Sequence, residues 1–218
     1  MRPRKPKEDL VLPDGMILRH DNGERVVHWA IAIAFVFLFL SGLAMFSPFF
    51  FWLSLAFGGG QSMRFLHPLC GVTLAVLFYP YALGLRKANR WTAADSRWVA
   101  NMFRYMRKEA HFTDTGKYNA GQKLMYWSML PIIALLLLTG IVLWQPWFAP
   151  SFPPGLRRAA GLVHAAMAFV MFVGIGVHWY AAFWTKGSIR AMVRGTVSQA
   201  WARFHHPAWF RQITGKDP

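Results

Sequence analysis

Long stretches without charged side chains dominate the pattern of this 218-residue chain. Each is close to or longer than the ~20 residues that an α-helix needs to cross the ~30 Å hydrocarbon core of a bilayer. Four helices of this apolarity are not expected in a soluble chain of this length. The pattern therefore predicts an all-α fold, an integral membrane four-helix bundle. The uncharged windows are 29–46, 65–85, 124–144 and 159–185.

The polar sequence around these windows divides the chain into an arm, a bundle and a tail. We expect an N-terminal arm over 1–25, a bundle over 26–185 and a C-terminal tail over 186–218. The arm is basic and lacks an apolar core with a small-residue cleavage pattern, so it is not predicted to be a cleaved signal peptide. The predicted helices of the bundle lie at about 26–46, 65–85, 123–144 and 159–185, with a polar segment over 86–122.

Basic residues are concentrated in one set of polar segments. The chain has 24 Lys and Arg against 9 Asp and Glu, which gives a formal net charge of +15. Of the 24, 21 lie in the arm, the 86–123 segment and the tail, and only three lie in the other two connections. The positive-inside rule therefore predicts that both termini and the 86–123 segment are cytoplasmic. Because topology explains the charge, nucleic acid is not an expected partner.

The single cysteine, Cys70, lies within the second apolar window. One cysteine excludes an internal disulfide, a zinc site built from cysteines, and covalent haem attachment through a C-x-x-C-H motif. The remaining candidates for cofactor ligands are histidines.

Four of the eight histidines fall within or at the edge of the apolar windows. A histidine inside a bilayer is costly and marks a functional site by default, although one at a helix end can also sit at the headgroup interface. If the helices alternate in direction, His28 of the first helix lies level with His178 of the fourth, near the cytoplasm. His67 of the second helix then lies level with His164 of the fourth, near the outer side.

The spacing of the two histidines on the fourth helix supports this pairing. Fourteen residues separate His164 from His178, which corresponds to about 21 Å along a helix and to within about 40° of one face. Two imidazoles that face each other across a bundle suit a bis-histidine haem b, which passes electrons because no axial position is open. Zinc would need further ligands at the same depth, while copper held by histidine and methionine stays conceivable. The pattern favours two haem b groups.

Two arginines precede predicted haem ligands by three residues. Arg25 precedes His28, and Arg64 precedes His67. Each could pair with a haem propionate. Each could equally extend from the helix end to the membrane surface.

The stretch TDTGKYNAGQK at 113–123 leads into the third helix on the predicted cytoplasmic side. Asn119 and Gln122 have the spacing of a capping box, which is a structural role. The same polar residues, with Gly121, could instead line a pocket for a quinone head group near His178. Both interpretations stay open on spacing alone.

The chain also contains the segments ERVVHW, RFLHPLCGV, DTGKYNAGQK, WQPWFAP, LVHA, VHWYAAFWTKG and AWARFHHPAWF. Together these segments resemble the cytochrome b (gamma) subunit of respiratory formate dehydrogenases, a bacterial inner-membrane protein. The resemblance spans roughly residues 24–211. It is specific as a combination, since single motifs of this length mean little.

The resemblance implies a di-haem cytochrome b that performs no formate chemistry itself. His67 and His164 would ligate an outer haem, and His28 with His178 an inner one. Electrons would come from formate at a molybdenum or tungsten catalytic (alpha) subunit, through an iron–sulfur (beta) subunit. They would reach menaquinone or ubiquinone in a pocket near the inner haem, formed by Asn119, Gly121 and Gln122. The family's trimer of heterotrimers is an assembly that the sequence leaves open.

Two other interpretations compete with this one. A cytochrome b subunit of a membrane-bound hydrogenase or thiosulfate reductase would share the helices and the haem ligands. A haem-free membrane anchor, with histidines that relay protons, belongs to a different class and would show no haem spectrum.

Overall fold

The structure is a computed structural model that describes residues 11–107 and 114–216. The predicted arm, polar segment and tail therefore lie partly outside the described residues, at 1–10, 108–113 and 217–218. The chain is built mainly of helices. The α-helices are α1 (Asn22–Phe46), α2 (Gly59–Leu85), α3 (Ala93–Ala100), α4 (Met102–Met106), α5 (Ala120–Leu143), α6 (Pro154–Trp184), α7 (Ser188–Arg194), α8 (Gln199–His205) and α9 (Pro207–Thr214).

Four of these helices, α1, α2, α5 and α6, are long and apolar enough to cross a membrane. They have 24 to 31 residues, more than the ~20 that a bilayer requires, and the predicted all-α membrane bundle is confirmed. Each helix begins three to six residues earlier than predicted. The prediction used uncharged windows, whereas the first turns of these helices include polar and charged residues such as Glu24 and Arg64.

The four spans pack into one compact unit, the membrane unit, made of Val26–Gly84 and Trp127–Trp179. The rings of Phe39 and Phe172 stack at 4.6 Å and join α1 to α6. The Tyr79 hydroxyl donates to the carbonyl of Leu130 at 3.0 Å and joins α2 to α5. Only 11–17% of each span is buried within the chain, so most of its apolar surface is available to lipid and to other non-protein contacts.

The polar parts of the chain form a second compact unit, the polar unit. It comprises the described parts of Met1–Arg25, Leu85–Tyr126 and Tyr180–Pro218. Strands β1 (Met16–Leu18) and β2 (Thr196–Ser198) pair antiparallel, with Ile17 opposite Val197. The buried core around this pair consists of Ile17, Ala191, Val197, Ala202, Trp209 and Phe210. Segments that the sequence showed only as an arm and a tail therefore share one core.

A buried arginine ties the three segments of the polar unit together. Arg19, which is 3% exposed, donates to the carbonyl of Lys117 at 2.6 Å and lies 3.2 Å from Nε2 of His206. Its guanidinium also lies 4.9 Å from the ring centre of Trp209 and 5.0 Å from that of Trp201. Aromatic faces of this kind stabilise a desolvated cation.

Gly195 lets helix α7 end directly against the N-terminal segment. Its φ of +81° is in the left-handed region, which disfavours side chains with a Cβ. A Cβ here would lie 2.5 Å from the backbone oxygen of His20. The carbonyl of Gly195 accepts from the amides of Arg19 and His20 at 2.8 and 3.1 Å.

Candidate functional site

The membrane unit brings the four apolar-window histidines together in two facing pairs. The rings of His28 and His178 lie 6.3 Å apart between centres, with an interplanar angle of 52°. The rings of His67 and His164 lie 6.4 Å apart, at 58°. The same two pairs were predicted from the depths of the four histidines in helices that alternate in direction.

The separation within each pair suits two axial ligands of one metal. Two imidazoles that bind an ion from opposite sides, each through a bond of about 2 Å, have ring centres roughly 6 Å apart. Over residues 11–107 and 114–216, no group of three or more His, Cys, Asp or Glu could hold a metal ion. Each pair thus offers two protein ligands, which is the donor set of bis-histidine haem.

A hydroxyl on α1 contacts His67, which lies on α2. Ser41 Oγ lies 2.7 Å from His67 Nδ1. The same hydroxyl donates to the carbonyl of Phe37 at 2.7 Å, one turn earlier on its own helix. A hydroxyl has one proton. With that proton on the Phe37 carbonyl, Ser41 is the acceptor for Nδ1–H of His67, and this tautomer leaves Nε2 as the metal-binding nitrogen.

The same arrangement recurs between α5 and α6. Thr139 Oγ1 lies 2.9 Å from His164 Nδ1 and donates to the carbonyl of Leu135 at 2.5 Å. With its proton on that carbonyl, Thr139 is likewise the acceptor for Nδ1–H of His164, which leaves Nε2 as the nitrogen that can bind a metal. Neither Ser41 nor Thr139 was predicted from the sequence.

A glycine follows each of these hydroxyl residues and allows close approach of the histidine. A Cβ at Gly42 would lie 3.4 Å from Cε1 of His67, and a Cβ at Gly140 would lie 3.4 Å from Cε1 of His164. A Cβ at this distance would lie at the short limit of ordinary van der Waals contact, so each glycine leaves room for its ring. The dipeptides Ser-Gly and Thr-Gly inside apolar spans were a visible signal in the sequence, but a hydroxyl in a membrane helix is often bonded only to its own backbone.

Two buried donors lie near the end of the membrane unit where α5 ends and α6 begins. Among the described residues, Trp144 Nε1 and Arg157 Nε have no hydrogen-bond partner. Leaving a buried donor unpaired costs about 1–3 kcal/mol, so both positions suit an acceptor. Arg157 precedes His164 by seven residues, which places both on one face of α6. A haem propionate carries the carboxylate that would satisfy such donors.

The two arginines singled out in the sequence have different surroundings. Arg64 is exposed in the first turns of α2, one turn before His67. The guanidinium of Arg25 instead donates to the carbonyls of Met192 and Val193, near the end of α7, and to Asn22 Oδ1. Arg25 thus satisfies carbonyls that a helix end leaves without partners.

Asn119 and Gln122 form a capping box at the start of α5. The amide of Gln122 donates to Asn119 Oδ1, and the amide of Asn119 donates to Gln122 Oε1, both at 3.0 Å. A Cβ at Gly121 would lie 3.4 Å from both Asn119 Oδ1 and Trp98. Asn119 is half-buried and Gln122 is exposed, so the predicted structural role is confirmed and the side-chain NH₂ groups can still donate elsewhere.

A membrane bundle of four helices with facing histidine pairs defines a class, the b-type cytochromes that hold haem between imidazoles. Residues 19–195 match the family described as prokaryotic cytochrome b561, and the chain belongs to that family. Membership implies haem b. With its four spans, the chain is a multi-pass protein of the bacterial inner membrane.

Several curated relatives are cytochrome subunits of formate dehydrogenases. The chain is 40% identical to the cytochrome b556(Fdn) subunit of the nitrate-inducible formate dehydrogenase of Escherichia coli K12, over 91% of this chain and 92% of the relative. It is 39% identical to the cytochrome b556(fdo) subunit of formate dehydrogenase of the same organism, over 90% and 93%. It is also 39% identical to the formate dehydrogenase cytochrome b556 subunit of Haemophilus influenzae, over 91% and 84%. The resemblance indicated by the sequence motifs is confirmed.

Proposed function

We propose that this chain is the membrane-embedded cytochrome b subunit of a formate dehydrogenase and that it passes electrons to a quinone. The observation that carries the proposal is the two facing imidazole pairs in a chain of this family. Identity of 39–40% over about nine-tenths of the chain to subunits of that enzyme supports the choice of partner.

In this proposal the chain binds two haem b groups, one between the rings of each pair. His28 and His178 hold one, and His67 and His164 hold the other. Haem supplies one-electron transfer, and two histidines leave no axial position for a substrate. The bundle's task is to fix the four rings and to keep water away from them.

The propionates of the haem held by His67 and His164 would meet donors at their own end of the membrane unit. Arg64 lies one turn before His67, and Arg157 offers a buried Nε on the face of α6 that carries His164. Arginine suits this task because its planar fork matches a carboxylate. Arg25 remains a candidate to bind a propionate of the other haem. It would do so only through the guanidinium N–H groups that do not already bond to the carbonyls of α7 or to Asn22.

The quinone, menaquinone or ubiquinone, would bind near the start of α5. Asn119, Gly121 and Gln122 are proposed to face its head group. The side-chain NH₂ groups of Asn119 and Gln122 can donate to a quinone carbonyl while their side-chain oxygens cap the helix. A neutral, amphiphilic carrier needs a few polar contacts of this kind at a membrane surface.

The partners in this proposal are an iron–sulfur (beta) subunit and a molybdenum or tungsten catalytic (alpha) subunit. The iron–sulfur subunit would dock near His67 and His164, at the end that the basic residues predict to be outside the cell. Electrons would then move inward while protons for quinone reduction come from the cytoplasm. Each charge that crosses is worth about 2.3 kcal/mol per 100 mV of membrane potential.

A haem count on single-histidine variants of the purified complex tests the proposal. The unaltered complex should hold two haem b per chain, seen in a dithionite-reduced minus oxidised spectrum. His67→Ala or His164→Ala should remove one haem, and His28→Ala or His178→Ala the other. His205→Ala, a histidine outside the pairs, is the control.

Three results would contradict the proposal. They are a spectrum without a b-type band, a single haem in the unaltered chain, or loss of the same haem from the His67 and His178 variants. A complex that holds both haems and reduces quinone with hydrogen or thiosulfate, but not with formate, would contradict only the choice of partner enzyme.

A further inference from the structure

We propose that Ser41 and Thr139 are positioning residues that set the tautomer of His67 and His164 and lower the reduction potential of the haem between them. The inference rests on the proposed haem ligation and goes beyond it, because it assigns roles to residues that do not touch the iron. Its basis is one hydrogen-bond pattern that occurs twice, on α1 and on α5.

The direction of each hydrogen bond follows from the second contact of the hydroxyl. Ser41 donates to the carbonyl of Phe37, four residues earlier, and Thr139 donates to the carbonyl of Leu135, also four residues earlier. With its one proton engaged, each hydroxyl can only accept from the ring. Nδ1 of each histidine therefore carries the proton, and Nε2 carries the free lone pair.

When a histidine donates a hydrogen bond from Nδ1, its Nε2 becomes a more basic metal ligand. Hydrogen-bonded ligands of this kind fix the ring orientation and raise the electron density at the metal. Greater electron donation stabilises the oxidised iron over the reduced iron. Hydrogen bonds to the axial ligands are therefore one way in which a protein sets the reduction potential of a haem. Both axial ligands of this haem have the contact, so their effects act in the same direction.

The adjacent glycines make the contact possible. Gly42 and Gly140 each approach the Cε1 of the same ring that their neighbouring hydroxyl contacts, where a Cβ would lie at 3.4 Å. The two-residue unit, a hydroxyl followed by glycine, thus provides an acceptor and the space for the ring to reach it. Back-bonding of Ser and Thr to their own helix is common in membranes, but it does not require a ring nitrogen at 2.7 or 2.9 Å.

A redox titration of the purified complex tests this inference. Ser41→Ala and Thr139→Val remove the hydroxyls, and Thr139→Val keeps the shape of the side chain. Each should leave two haems per chain and raise the midpoint potential of one haem, and the double variant should raise it further. The other haem should be unchanged because its ligand His178 lies about 21 Å from His164 along α6. The conservative variants Ser41→Thr and Thr139→Ser should keep the original potential.

Each outcome of the titration either supports or overturns the proposed role of the two hydroxyls. Unchanged potentials in fully loaded Ser41→Ala and Thr139→Val would overturn the inference. Loss of the haem in these variants, with retention in Ser41→Thr and Thr139→Ser, would support positioning by the hydroxyl. Loss of the haem in the conservative variants as well would show that both residues act only through packing, and it would overturn the inference. An unaltered complex without haem would instead overturn the proposed function.

The role of Gly42 and Gly140 is tested separately, by electron paramagnetic resonance. Gly42→Ala and Gly140→Ala should displace one ring while both hydroxyls remain, so the low-spin ferric signal of that haem in electron paramagnetic resonance should shift. Gly161→Ala is the matched control, since a Cβ there meets nothing within 4 Å. An unchanged signal in both test variants would overturn the steric part of the inference.

Discussion

His206 is a neutral histidine that lies against a buried cation. Its Nδ1–H donates to the carbonyl of Gly116 at 2.7 Å, so Nε2 is the acceptor that faces Arg19. Burial lowers the pKa of His206 well below its usual range, and the charge of Arg19 lowers it further. A second proton would place two positive charges side by side in the core of the polar unit.

This histidine should make the polar unit sensitive to acid. Its pKa is lower in the folded than in the unfolded state, so its contribution is fully present above the unfolded pKa of about 6.5 and is lost as the pH falls through the folded pKa. Between the unfolded and the folded pKa, stability should fall by up to about 1.4 kcal/mol for each unit by which the pH is lowered. This loss of stability can be measured by hydrogen exchange of the backbone amides around Trp209, corrected for the pH dependence of their intrinsic exchange rates.

His206→Gln is the informative variant for that measurement, because Gln offers a donor and an acceptor but no titrating group. The pH dependence should become shallower without disappearing, since the pKa values of His20 and His205 are also lowered, mainly by burial. An equally steep dependence in His206→Gln would refute the assignment.

At the scale of residues, the sequence predicted the histidines but not their hydroxyl partners. An imidazole in a membrane span is expensive, so its presence alone indicates a function. A serine or threonine there is cheap, because it can bond to the carbonyl four residues earlier. Only the structure shows that Ser41 and Thr139 also reach a ring on the next helix.

Among the elements, the start of α5 carries two sets of polar contacts. One is the capping box of Asn119 and Gln122. The other is an ion pair in which Lys123 Nζ lies 2.7 Å from Asp95 Oδ2. Although burial raises the pKa of Asp95, hydrogen bonds from Lys123 and Thr92 outweigh it and hold that pKa below its usual value. The pair fixes α3 to the first turn of α5.

Asn119→Asp separates the cap from the proposed quinone contact. Asp keeps the oxygen that accepts from the Gln122 amide and removes the NH₂ group. It should preserve thermal stability, whereas Asn119→Ala should lose about 1 kcal/mol of helix stabilisation. If the quinone contact is real, Asn119→Asp should raise the KM for a soluble quinone analogue several-fold. Unchanged kinetics in Asn119→Asp would leave Asn119 with the structural role alone.

Long elements were predictable from the sequence, and short ones were not. The spans of α1, α2, α5 and α6 stand out because a bilayer demands about 20 apolar residues in a row. Strands β1 and β2 have three residues each, too few for a period-two pattern to appear. Their pairing joins residues about 180 positions apart in the chain, a contact that no local pattern contains.

For the whole molecule, the basic residues predict the orientation in the membrane. Of 24 Lys and Arg, 21 lie in the segments predicted to be cytoplasmic. Four spans also require that both termini lie on the same side. We therefore expect the termini and residues 86–122 inside, with the connections between the first and second and between the third and fourth spans outside.

Cysteine labelling in intact cells checks this orientation. In a Cys70→Ala background, Ser62→Cys and Ser151→Cys should react with an impermeant maleimide. Ala88→Cys and Lys216→Cys should react only after the inner membrane is opened. All four positions are exposed. The reverse pattern would invert the topology and, with it, the proposed direction of electron flow.

Helix α6 is the last of the four spans in chain order, and it supplies one histidine to each pair. During synthesis, α1 and α2 therefore enter the membrane with His28 and His67 still lacking their opposite rings. Both sites become complete in a single event, when residues up to His178 have left the ribosome and α6 has inserted. On the proposed ligation, haem delivery would follow translation of the whole bundle, and we expect a cell starved of haem to accumulate fully inserted apoprotein rather than a half-built chain.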